Sequence, residues 1–260
     1  MGQNKLVLNK DKTHLLIMAS SQNRKNNDNF GITITLDTGS LDPRYRIIKP
    51  QDTEFLLGGV ISSNLKWIDH IRNHEKSMLK VLTSRLNALQ KTSKIANFKV
   101  RKMIANGIFL SKLIYLIQLW GGTSEYLLTF LQKLQNRAAR MVTRKDWYTP
   151  TKTLLTQCGW LSVRQLAMFH TLLQVFKSKN DKLPVFLHKK FSRKFPVNTR
   201  LSADNKIKEF EGIQSDLGIK HFSHRSIQLW NNLPTEIRNS PTLPLFKSSL
   251  KKWIKSEVPI

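Results

Sequence analysis

Four cations, Lys133, Arg137, Arg140 and Arg144, recur at steps of four, three and four residues. At about 100° per residue on a helix, that spacing forms one stripe roughly 110° around from the apolar face of Leu127, Phe130, Leu131, Leu134, Ala138 and Met141. The chemistry open to such a stripe is electrostatic: charged groups laid along a phosphate backbone, with the amides of Gln132 and Asn136 beside them as uncharged donors. The competing reading is a solvated helix face, but no carboxylate within this stripe offsets the charge. Lys247, Lys251 and Lys255 repeat the pattern near the end of the chain. Between the two stripes, Lys189, Lys190, Arg193, Lys194 and Arg200 alternate with Phe191 and Phe195. Aromatics among cations can stack bases while the cations hold phosphates; alternatively the phenylalanines pack inward and the lysines stay in water.

Other chemistries find little support. His70 and His74 stand four apart with Glu75 following, which is not the H-E-x-x-H order of a zinc hydrolase. His221 and His224 are close, but Cys158 is the sole cysteine, so a Cys/His metal site is ruled out. No Ser/His/Asp arrangement, phosphate-binding glycine loop or dinucleotide fingerprint occurs, and Gly58-Gly59 lacks the third glycine. No metal site, catalytic residue or cofactor is expected for this chain.

The charge balance sets the partner class. Forty-three Lys and Arg oppose seventeen Asp and Glu, a formal net of +26. Self-repulsion of that size destabilises a compact state, and the usual counterweight is a polyanion. Residues 1–64 hold eight basic and six acidic residues, whereas 65–260 hold 35 and eleven. The positive field therefore belongs to the later part. One cysteine allows no intrachain disulfide and suits a reducing compartment. The first twenty residues lack an apolar run after a basic start. The apolar stretch from Gly107 to Trp120 is too short to span a bilayer and carries Lys112. The expected setting is the nucleus or cytoplasm, neither secreted nor in a membrane.

The elements that must position these cations are mainly helical. Short apolar runs at Leu6-Val7-Leu8 and His14 to Met18, the alternation Ile32 to Leu36, and Phe55 to Ile61 bent by two glycines give a small N-terminal β (α+β) piece, with His14 to Met18 a buried strand. From Trp67 the period becomes helical. Leu79, Leu82, Leu86 and Leu89 mark one amphipathic helix. Residues 95–120 are apolar almost all round and predict a central helix stopped by Gly121-Gly122. The stripe helix starts after Ser124 or Glu125, and Trp147 to Pro150 closes this bundle. Ser162 and Gln165 match a capping box, with Leu161 and Leu166 as the staple, for a helix running to about Lys179. Residues 188–206 have little periodicity and predict an exposed basic loop. Ser223 is placed to cap a helix carrying Ile227 and Trp230. Thr242 is placed to cap a last helix with Phe246, Leu250 and Trp253 inward. The resulting division is 1–64, a helical bundle over 65–148, and a basic helical region over 149–260.

Four segments together resemble one family. Leu6-Val7-Leu8-Asn9-Lys10-Asp11-Lys12-Thr13 is similar to the L-x-L-N-x-x-K-T segment of non-LTR retrotransposon reverse transcriptases. Phe55-Leu56-Leu57-Gly58, Asn64-Leu65-Lys66-Trp67 and His70-Ile71 resemble the family's next element. Leu131 to Arg140 resembles its LQ-x-x-QNRAAR helix. Trp230-Asn231-Asn232-Leu233-Pro234, Ile237-Arg238 and Phe246-Lys247 resemble its WN-x-LP-x-x-IR…FK tail. The resemblance runs in family order over nearly the whole chain. It departs at Leu56, where an aromatic is usual, at Gly59, where Val is usual, and at Ser62, where Asp is usual.

The resemblance implies the end of a palm, a thumb and a C-terminal region. It would set Lys12 near the nucleotide site, Leu56, Leu57 and Gly58 near the primer 3′ end, and Lys133, Arg137 and Arg140 along the template–primer backbone. DNA synthesis in the family needs paired aspartates holding two Mg²⁺ ions. No Asp-Asp pair occurs anywhere in this sequence, so Mg²⁺ is implied only for an intact parent polymerase. The expected function is a nucleic-acid-binding fragment, inactive by itself, whose partners are RNA or DNA backbone and the upstream polymerase segment. The alternative is a standalone basic helical adaptor for RNA, DNA or an acidic protein.

Overall fold

The computed structural model describes residues 12–19, 23, 32–36, 44–93, 95–180, 182–191, 204–213 and 215–259. The chain forms two compact units, Met1–Lys80 and Val81–Ile260. It is mainly helical with a few short strands.

The first unit carries the strands. β1, Leu15–Leu16, runs parallel to β4, Pro50–Gln51. β2, Ile32–Leu36, pairs antiparallel with β3, Arg44–Ile48, setting Ile32 opposite Ile48. The expected buried strand over His14 to Met18 shrinks to the half-buried pair Leu15–Leu16, and Met18 is exposed. β5, Thr53–Leu56, and β6, Gly59–Ser62, form an antiparallel hairpin with Leu56 opposite Gly59. Its two-residue loop has positive φ at both positions, 48° at Leu57 and 77° at Gly58, the backbone of a type I′ turn. Glycine takes that conformation freely, whereas a leucine there costs about 1–2 kcal/mol.

Behind the hairpin a π-helical turn, Asp69–Asn73, is tied to β6. Ser62 Oγ donates to Asp69 Oδ2 at 2.6 Å, and the Val60 amide donates to His70 Nδ1 at 3.2 Å. His70 also meets Trp67 edge to face.

The second unit is built of helices. α1, Met78–Ser93, begins at the end of the first unit and buries Leu82, Leu86 and Leu89. The single central helix expected over 95–120 is instead broken. α2, Phe98–Ile104, is capped by Asn97, whose side chain accepts from the Val100 amide at 3.0 Å. A π-helical segment, Ala105–Leu110, leads into α3, Ser111–Ile114. Leu116 then turns left-handed, φ 57°, before α4, Ile117–Trp120. The Trp120 indole donates to the Tyr115 carbonyl at 2.9 Å, satisfying a backbone group freed by the break.

α5, Glu125–Thr143, packs against α6, Thr151–Cys158, a helix the sequence reading did not anticipate. α7, Val163–Lys179, has the expected capping box at Ser162 and Gln165. It is the hub of the unit, packing on α4, α5, α8 (Val185–Phe191), α10 (Phe222–Asn231) and α12 (Leu243–Glu257). The α4–α7 approach depends on Gly121, where an added Cβ would lie 2.6 Å from the Ala167 Cβ. α9, Asp216–Lys220, and α11, Thr235–Arg238, are single turns. The Phe176 and Phe246 rings stack at 4.2 Å, and Trp230 lies against Phe246 at 6.0 Å.

Three further expectations are corrected. Residues 188–191 belong to α8 rather than a loop. α10 is capped by His221, whose Nδ1 accepts from the Ser223 amide at 3.3 Å, not by Ser223. α12 buries Ile254 with Phe246 and Leu250, while Trp253 is only half-buried.

Candidate nucleic-acid interface

α5 is helical because Leu127, Leu131, Leu134, Ala138 and Val142 repeat on one buried face. Glu125 in its first turn suits the positive end of the helix and pairs with Arg164 of α7. The stripe on its outer side divides into two functions. Lys133 and Arg137, one turn apart, are exposed and have no hydrogen-bond or ion-pair partner among the described residues. Arg140 is half-buried and turns back to the chain, donating to the Trp147 carbonyl at 2.7 Å, Asp146 at 3.3 Å and Thr149 at 3.5 Å. Arg144 caps the helix in a left-handed conformation, φ 55°, and donates to the Ser93 carbonyl at 2.8 Å.

The two amides expected to face a backbone do not. Gln132 donates to Gln135 Oε1 at 2.9 Å and Asn136 Oδ1 at 2.8 Å, and accepts from the Val163 amide at 2.9 Å. Asn136 donates to Thr151 Oγ1, and buried Gln135 to the Leu161 carbonyl, each at 2.9 Å. These side chains tie α5 to the starts of α6 and α7. Buried amides must find such partners or lose the free energy of their hydration, so the three amide side chains of the Leu131 to Arg140 segment serve the fold.

The tail segment behaves the same way. Buried Arg238 donates to the carbonyls of Asp204 at 2.9 Å, Asn231 at 3.1 Å and Leu233, and to Thr235 Oγ1 at 2.9 Å. Asn231 and Ile207 exchange a pair of 2.9 Å bonds, and the Trp230 indole donates to the Asn205 carbonyl at 2.9 Å. Lys179 lies over the Trp230 ring at 5.6 Å; burial, then the charge of Arg238, pulls its ammonium down to about 8. Arg101 and Arg225 are also turned inward. Arg101 donates to the Val142 and Ala96 carbonyls and Arg225 to that of Gln118, and burial lowers both guanidinium pKa values.

Lys247, Lys251 and Lys255 on α12 are all exposed. Half-buried His170 of α7 is held below its ordinary range by burial, then by the charges of Lys177 and Lys247. The periodicity of α12 signalled its stripe.

Lys12 and Lys189 are exposed, and the Leu56-Leu57-Gly58 tip presents Leu57 81 % exposed. Phe191 is buried, edge to face with Phe222 at 5.9 Å, so it does not offer a stacking surface. Arg193, Lys194 and Phe195, the segment from Leu6 to Asp11, and the Lys190 side chain fall outside the described residues. A cavity of about 490 Å³ opens beside Lys189, lined also by Phe210, Ile213, Gly218, His221, Ser223 and His224.

Sequence reasoning missed one exposed feature. Trp147 and Tyr148, just past α5, are 83 % and 70 % exposed. Their only sequence signal is two adjacent aromatics shortly after Arg144-Lys145, with Asp146 between.

Among the described residues there is no group of three or more His, Cys, Asp or Glu that could hold a metal ion. No helix among them is long and apolar enough to cross a membrane. No family model, curated protein or solved structure matches the chain.

Proposed function

We propose that this chain binds nucleic acid through the cationic surface of its helical unit, as the thumb and C-terminal region of a non-LTR retrotransposon reverse transcriptase would. The observation that carries the reading is the exposed cation pair Lys133 and Arg137 on a rigid helix, within a unit holding 31 basic and nine acidic residues from Val81 onward. Cations without neighbouring carboxylates gain most from neutralising phosphates, because binding releases condensed counterions. The hairpin tip at Leu56, Leu57 and Gly58 supports the same reading. A strained, water-exposed leucine is expected where a backbone turn serves a contact rather than stability. The chain's role is binding without polymerisation, since its sequence contains no adjacent aspartate pair.

The test is fluorescence anisotropy of a labelled duplex across a salt series. Log affinity should fall linearly with log salt, with a slope of about −0.9 per phosphate neutralised. A slope near zero overturns the proposal and points to a protein partner. Primer extension with Mg²⁺ or Mn²⁺ should show no incorporation.

A further inference from the structure

The loop that leaves α5 holds two large aromatics out in water. Leaving a Trp and a Tyr side chain solvated forgoes the gain of burying two large apolar rings, and the loop is not simply loose. Arg140 grips it from beneath through the carbonyls of Asp146, Trp147 and Thr149. The Thr149 amide closes a turn onto the Asp146 carbonyl at 3.2 Å. Tyr148 Oη donates to Asp146 Oδ2 at 2.9 Å, fixing the phenol. The two rings meet edge to face, centroids 6.2 Å apart and planes at 84°. Arg140, Arg144 and Lys145 precede the pair in sequence, and Asp146 is the one carboxylate among them.

We propose that Trp147 and Tyr148 form a stacking corner for one unpaired base of single-stranded RNA or DNA, with Lys145 on the adjacent phosphate. Every base has a π-face, so aromatic platforms flanked by cations bind single strands with little sequence preference. Perpendicular rings cannot continue a column of stacked bases. One base lies flat on one ring with its edge toward the other, and the strand turns there. A duplex interior has no base to offer. Arg140 is a positioning residue: its Nε and Nη2 donate to the loop carbonyls, so it sets the corner while Lys145 takes the phosphate.

The inference rests on the nucleic-acid reading above, and one experiment separates the two. Affinities of wild type, Trp147→Ala and Trp147→Phe are measured for a twelve-nucleotide single strand and for a relaxed, covalently closed circular duplex, which offers neither unpaired bases nor ends, alongside thermal melts. Trp147→Ala should weaken the single strand roughly five- to hundredfold and leave the closed duplex and the melting temperature unchanged. Trp147→Phe should retain most of the affinity. A 5-iodouracil strand irradiated on the wild type should cross-link at Trp147 or Tyr148. Equal loss for both ligands, no loss for the single strand, or cross-links confined to the cavity beside His224 would overturn the stacking corner while leaving nucleic-acid binding intact. Failure of the wild type to bind either ligand would overturn the nucleic-acid reading together with it.

Discussion

α5 and the segment from Trp230 to Arg238 are the two most motif-rich stretches of the chain, and they spend their cations in opposite ways. On α5, Lys133 and Arg137 stand in solvent while Arg140 and Arg144 close loops. In the later segment Arg238 is buried under the carbonyls of Asp204, Asn231 and Leu233. Each arginine adds the same charge wherever it sits, yet only the exposed cations of α5 can touch a phosphate. An arginine fork suits either task, because its fixed donors match several carbonyls as well as they match a phosphate. Formal charge therefore measures the field around this molecule and not the number of its contacts.

The largest expected effect lies in the buried region. Arg238→Ala should cost about 3 kcal/mol or more, since several buried carbonyls lose their donor at about 1–3 kcal/mol each. Arg238→Lys should recover little, as an ammonium cannot span those acceptors. Urea unfolding checks both, and a near-native midpoint for Arg238→Ala would erase the contrast drawn here. On α5, Gln135→Ala should cost about 1–3 kcal/mol of stability with no change in duplex affinity, measured by the same unfolding and by anisotropy.

Lys133→Ala with Arg137→Ala should do the reverse: unchanged unfolding, a salt slope shallower by about 2, and affinity down roughly tenfold at moderate salt. The smallest effect concerns pH. Lys179 titrates at about 8 in the folded chain against an ordinary 10.5. Between those values the unfolded chain holds a proton that the folded chain has shed, so stability should rise with pH. Melts at pH 7 and pH 9 should show this rise in the wild type relative to Lys179→Met, which lacks the titrating group.

What the sequence made legible was local. The start of α7 follows from Ser162 and Gln165, a cap that needs only its own first turn. The buried face of α5 follows from its 3.6-residue period. The amides of Gln132, Gln135 and Asn136 were not legible, because Leu161, Val163 and Thr151 lie 15 to 31 residues away. α8 escaped notice because its inner side is fixed by partners outside it, Phe191 against Phe222 and His188 at the Ser178 carbonyl. Exposure of Trp147 and Tyr148 is decided by the grip of Arg140, and adjacent aromatics look identical in sequence whether they are core or surface.

Cys158 ends α6 with its side chain fully covered, and burial pushes its thiol up to about 11. As the one cysteine in the chain, it reacts with an alkylating agent chiefly when the end of α6 opens, because the thiolate is the attacking species. Labelling kinetics under native conditions would thus time the opening of the α5–α6 junction without any engineered probe, and a bound strand that slows the labelling would reveal how far its grip reaches into the protein.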